Sequence, residues 1–268
     1  SVGVVRLLGA VGKDGSGSTR PLKSLVVSAG GGIVIGGGYV ETTGTQTYDN
    51  DLLLASSNHR TEINTTDAAV TFTGKVNNQT NGTPESLTVN SGSGAVLFSE
   101  AVGSSSPSAI DKLGAVVINS SGDTTFTKTV DATSLTTNAG GTVVIKGGRI
   151  TTTGEQSYGE NMLLDNANHA TVLNTTNAAV TFTGTVNNQT NGTPESLTVN
   201  SGSGAVLFSE ALGSSSPSAI DKLGAVAINS TGDTTFTKTV DATSLTTDLG
   251  GRVIIQGGRI STTGAQSY

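Results

Sequence analysis

The sequence predicts an all-β chain wound as a parallel β-solenoid, and three observations predict it. Residues 49–158 and 159–268 are two copies of one 110-residue unit, alike at about four positions in five. Short runs of alternating apolar and polar residues follow one another closely, separated by Gly, Asn, Ser and Asp. No run carries an apolar face at the helical period, so no helix is expected. A tandem array of short strands buries its apolar residues by stacking turn on turn.

Within one unit the predicted strands are 69–77, 86–90, 94–102, 115–119, 124–130, 134–137, 142–146 and 149–153, with 171–176 in the second copy. Thr and Val suit these strands, and the groups NSGSG, NSSGD, NAGG and KGG suit the turns between them. Pairing the runs gives turns that begin near Ala69, Ala95, Thr124, Thr142 and Met162, with the next at Ala179. That is about five turns per repeat, at about 22 residues each. Stacking at the strand spacing gives a rise of roughly 24 Å per repeat and nearly 60 Å for one continuous solenoid. Residues 1–48 read as a divergent partial copy of 111–158, so the expected organisation is 1–48, 49–158 and 159–268.

Phe72, Phe98 and Phe126 occupy the same place in successive turns, and Phe182, Phe208 and Phe236 repeat them. Like positions stack in a parallel solenoid, so an interior Phe column continued by Ile145 and Ile255 is expected. A second column should hold Leu87, Val116, Leu135 and Ile150. Alternation then directs Thr71, Thr73, Thr125 and Thr127 outward. A β-sandwich would share this alternation. The many glycine corners and the small core per turn favour the solenoid, and the recurring apolar runs argue against disorder.

Two insertions interrupt the regular turns: 77–85 (NNQTNGTPE) and 103–114 (GSSSPSAIDKLG), identical in the second copy at 187–195 and 213–224. They are expected to protrude on one side of adjacent turns. Their candidate interaction residues are Asn78, Asn81, Pro84, Glu85, Pro107, Asp111 and Lys112, with Asn188, Asn191, Pro194, Glu195, Pro217, Asp221 and Lys222 as copies.

Little in the sequence points to catalysis. The acids Glu85, Glu100, Asp111, Asp123 and Asp131 all recur in the second copy, which suits a repeated surface better than one positioned carboxylate pair. His59 and His169 are the only histidines, and Glu62 near the first becomes Val172 near the second, so they read as turn residues. With no cysteine, thiolate zinc sites and disulfides are excluded. No cofactor is expected. Neither an EF-hand loop nor the nonapeptide calcium repeat is present, which leaves only weak, incidental calcium. The glycine runs 30–32 and 36–38 lack a following Gly-Lys-Ser/Thr and read as corners. Asn64, Asn78, Asn81 and Asn119 stand in N-x-S/T sequons. TFT ladders evoke an ice-binding face, but LFSE and VVIK interrupt them. Net charge is −6 with scattered Lys and Arg, which argues against nucleic acid. No stretch has the length of a membrane span.

The motif SLT-x-AGG-x-x-I-x-GG-x-x-TTG-x-Q-x-Y recurs at 24–48, 134–158 and 244–268. It resembles the β-strand repeats of very large bacterial surface and secreted adhesins, in the style of filamentous-haemagglutinin-like exoproteins. That resemblance implies a right-handed parallel β-helix, an extracellular or cell-surface location and a structural role as stalk or fibre, with no catalytic residues to carry over. The expected partners are further repeats of the same chain, or a carbohydrate or cell-surface ligand held by the paired insertions. No signal peptide and no end cover is legible. The chain therefore reads as a piece of a longer array or as a unit that joins end to end.

Overall fold

Strands form where Val, Leu, Ile, Phe and Thr alternate with Thr, Ser and Asn, and most strands show the buried–half-buried–buried pattern this alternation dictates. The computed structural model describes residues 3–78, 83–103, 112–138, 140–188, 193–213, 222–248 and 250–268. Among these residues there are strands and turns and no helix, and every pairing between named strands is parallel. The fold is a parallel β-solenoid. Two compact units, Ser1–Thr133 and Ser134–Tyr268, divide the chain inside the first sequence copy.

In the first unit each turn contributes to three ladders. One runs Leu25, Gln46, Val70, Val96, Thr124. A second runs Val5, Ile33, Leu52, Val76, Val102, Val130. A third runs Val40, Ile63, Val89, Ile118. The interior ends of these residues fill a narrow core in which Ile33, Leu52, Val76 and Ile63 are fully buried.

The second unit repeats this plan. Its first ladder runs Leu135, Gln156, Val180, Val206, Thr234, Val253. Its second runs Val143, Met162, Val186, Leu212, Val240, Ile260. Its third runs Ile150, Leu173, Val199, Ile228, Thr247. Turn length is uneven: along the first ladder the shortest step joins Thr234 to Val253 and the longest joins Val206 to Thr234.

These ladders fix the phase of the sequence repeat. From Leu135 to its copy Leu245 the chain passes Val143, Ile150, Gln156, Met162, Leu173, Val180, Val186, Leu197, Val206, Leu212, Val226, Thr234 and Val240. Counting Leu135 itself, these are fourteen ladder positions at three per turn, or four and two-thirds turns. This is a little under the expected five, and the missing third has a consequence. Leu135 stands in the first ladder, whereas Leu245 pairs with Val226 and Gln266 in the third. Val143 stands in the second ladder and its copy Val253 in the first. Within this unit, residues one sequence repeat apart therefore face directions one side of the solenoid apart. For the same reason the position of Ile150 does not belong to the column it was expected to join: in the second unit that column runs Leu197, Val226, Leu245, Gln266 and leaves out Ile260, the copy of Ile150. Ile150 pairs with Leu173, and Ile260 with Val240.

The Phe column forms in each unit and begins one turn earlier than expected, with a tyrosine. Tyr48, Phe72, Phe98 and Phe126 stack with centroids 5.2, 4.7 and 5.2 Å apart and ring planes within 9°. Tyr158, Phe182, Phe208 and Phe236 stack at 5.3, 4.6 and 5.3 Å. Phe236 pairs in register with Ile255. These ring separations follow the strand spacing, since in-register residues of neighbouring strands sit one strand apart.

The tyrosine explains the TTG-x-Q-x-Y motif. Gln156 is buried beneath Tyr158 and accepts the phenol O–H at Oε1, 2.9 Å away. Its Nε2 donates to Thr152 Oγ1 at 3.2 Å and to the Asn174 carbonyl at 2.9 Å. The Thr152 hydroxyl in turn donates to the Gly154 carbonyl. Thr42, Gly44, Gln46 and Tyr48 build the same network in the first unit. A buried amide tolerates its site only when its donors and acceptor are matched, so the motif's fixed residues are those that match them.

Candidate functional site

The two insertions leave and re-enter the first unit at one corner of adjacent turns. Residues 77–86 connect Val76 to Leu87, and residues 103–115 connect Val102 to Val116. Val76 pairs with Val102, and Leu87 with Val116. In the second unit Val186 pairs with Leu212, and Leu197 with Val226, so the arrangement repeats. Adjacent-turn placement on one side is thus what the ladders produce in each unit. On the next turn of the second unit the same corner, between Val240 and Leu245, is spanned by one continuous strand, Val240–Thr247.

Of the candidate loop residues, Asn81, Pro107, Asp111, Asn191, Pro217 and Asp221 lie outside the described residues. The others form the base of the corner. Asn78 and Asn188 are buried at strand ends, and their amides reach the carbonyls of Thr83 and Thr193. Pro84 and Pro194 pass their carbonyls close to Gly114 and Gly224 on the next turn. Lys112 lies 3.8 Å from Asp131, and Lys222 lies 3.5 Å from Asp241.

Glu85 and Glu195 are the unusual members. Both are fully buried. Glu85 Oε1 lies 3.1 Å from His59 Nδ1, and Glu195 Oε1 lies 2.9 Å from His169 Nδ1. The second carboxylate oxygen of each is buried without a hydrogen-bond partner. Burial pushes the Glu85 carboxyl above its usual range, while the His59 contact pulls the other way. Each histidine sits in the left-handed region, at φ 54° and 52°, where His is tolerated better than most residues. Each closes a turn by donating its N–H to residue 56 or 166, and its carbonyl accepts from Ser86 or Ser196. Glu85 and Glu195 pass their carbonyls on to Gly114 and Gly224. The pair therefore fastens an insertion's stem to the turn before it.

Both histidines are turn residues, as the sequence implies, but the sequence does not reveal their partners. The missing signal was the local turn length. Val70 and Val96 are ladder partners, as are Thr61 and Leu87, and the same step carries His59 onto Glu85.

The outer face of the third ladder carries asparagine rungs. Asn90 donates to Asn64 at 2.6 Å and Asn119 donates to Asn90 at 2.7 Å, with the same chain through Asn174, Asn200 and Asn229. Among the described residues no cluster of three or more His, Asp or Glu could hold a metal ion. Neither histidine ring is hydrogen-bonded to a Ser or Thr hydroxyl there. The chemistry available is the joining of turns and the presentation of an insertion pair. No known protein family, curated protein or solved structure matches the chain.

Proposed function

We propose that this chain is a structural repeat region, a stalk or fibre segment of an extracellular or cell-surface protein, and that it carries no catalysis. The observation that supports this most is the recurrence of the side-chain groups that join one turn to the next. The His–Glu fastening, the asparagine rungs and the aromatic stack occur once per unit with nearly the same distances, and the Thr–Gln–Tyr network recurs at Tyr48, Tyr158 and Tyr268. Duplicated tie points serve extension of an array, because each turn rests only on its neighbours. Its natural partners are further repeats of its own kind. Electron microscopy of the purified chain in physiological salt tests the reading. Rods or end-to-end fibres with an axial strand spacing near 4.8 Å are expected; compact, irregular particles would refute it.

A second reading is favoured by the insertions. Two long loops on adjacent turns, with stems fastened by buried carboxylates, suit a surface that grips a carbohydrate or a neighbouring fibre. Replacing 79–82 and 104–111 in both copies by short Gly-Ser links should then abolish such binding and leave the far-UV circular dichroism unchanged.

A further inference from the structure

The two sequence copies do not differ evenly. Over 69–138 and 179–248 they differ at five of seventy positions, but over 49–68 and 159–178 they agree at only nine of twenty. Two of the changed residues, Arg60 and Glu62, line a groove of about 300 Å³ in the first unit. Their copies are Ala170 and Val172, and Tyr39 and Lys13 of the same groove correspond to Arg149 and Asp123. The groove is thus a departure from the repeat, not a consequence of it.

Its construction is specific. Lys13 lies on a local hairpin where Lys13 pairs with Thr19. The Asp14 carboxylate braces that hairpin by accepting the N–H groups of Ser16 and Ser18, each at 3.0 Å. The Lys13 ammonium then sits 3.5 Å from the centre of the Tyr39 ring. The Tyr39 hydroxyl donates to Glu41 at 2.7 Å, which ties down the far end of the ring. Arg60 pairs with Glu62, and both remain partly exposed. Gly37 and Gly38 supply a backbone floor. A side chain at Gly37 would strike Gly9, and one at Gly38, held at φ 68°, would meet Ser56 and the Arg60 carbonyl.

We propose that this groove binds a uronate, a sugar ring that carries both a carboxylate and hydroxyls. Two cations, Lys13 and Arg60, suit the carboxylate, and the Arg60 fork can meet it in two parallel bonds. Glu62 is an acceptor-only group that would repel a simple anion but accepts sugar hydroxyls. The volume lies at the small end of ligand sites and fits one ring unit. The inference concerns the first unit alone and does not depend on the stalk reading.

Titration of the isotope-labelled full chain by NMR tests it, with D-glucuronate as probe and D-glucose and sodium acetate as controls. Glucuronate should produce saturable shifts at Gly37, Gly38 and Tyr39 with a dissociation constant in the millimolar range. The double variant R60A/E62V, which installs the residues the second copy carries in its own fold, should bind at least tenfold more weakly. K13Q should weaken binding as well and serves if the double variant misfolds. Absence of saturable shifts, an equal response to glucose or to acetate, or unchanged binding by the folded variants would overturn the proposal.

Discussion

At the scale of single residues, the buried polar groups set the chain's sensitivities. Tyr158 donates to Gln156, whose amide has no other source for that bond. Tyr158→Phe keeps the aromatic stack and removes one donor. It should cost about 1–3 kcal/mol in urea unfolding, the price of an unsatisfied buried acceptor. Glu160 is the more telling case. It is buried, one of its oxygens has no partner, and burial pushes its carboxyl up to about 7 from 4.5. Because the folded value is raised, the folded chain holds this proton more tightly than the unfolded chain. Its stabilising contribution is complete below pH 4.5 and is lost as pH rises through 7. Its first-copy counterpart is the neutral Asn50. Glu160→Gln should therefore flatten the stability profile between pH 4.5 and 8 and gain on the order of 3 kcal/mol at the upper end. A profile that falls equally in wild type and variant would assign the pH dependence to another group.

At the scale of the elements, stability comes from rows and not from any single strand, since most strands are only three or four residues long. Phe208 lies between Phe182 and Phe236, so Phe208→Ala removes a ring with neighbours above and below. A loss of about 3–5 kcal/mol is expected by denaturant unfolding. Gly204 limits the approach of turns in the opposite sense. A methyl there would lie 2.1 Å from the Ala178 backbone, so Gly204→Ala should destabilise by overpacking although it adds one carbon only. The phenylalanine rows were legible in the sequence because identical residues recur in identical short contexts. Ile150 was not, because its place depends on how many residues the preceding corners consume. Corner length follows glycine and insertion content, which alternation does not reveal. The His59–Glu85 contact was hidden for the same reason, although both residues stood in plain view.

At the scale of the molecule, the repeat in sequence and the repeat in structure have different periods. A unit of four and two-thirds turns returns each residue to the same chemistry on a different side, as Leu135 and Leu245 show within the second unit. Sequence identity between copies thus predicts shared contacts but not a shared direction. The all-β class, the parallel ladders and the aromatic core were readable from composition and period. The phase was not, because grouping runs in pairs forces a whole number of turns, whereas the ladders count three sides to a turn.

The most direct test follows the outward row Thr136, Ser157, Thr181, Leu207, Thr235 and Ile254, whose neighbours are ladder partners. The chain contains no cysteine, so pairs of introduced cysteines report on these contacts alone. Adjacent strands hold partner Cα atoms about 4.8 Å apart, within the span a disulfide bridges. Each neighbouring pair, made as a double cysteine variant, should close on mild oxidation, while Thr181→Cys with Ser209→Cys should stay reduced. Closure of all five pairs carries the row from Thr136 to Ile254, beyond one sequence repeat, without passing through Thr246, the copy of Thr136. Failure of any of the five, with closure of the offset control, would contradict the three-sided stack and the phase derived from it.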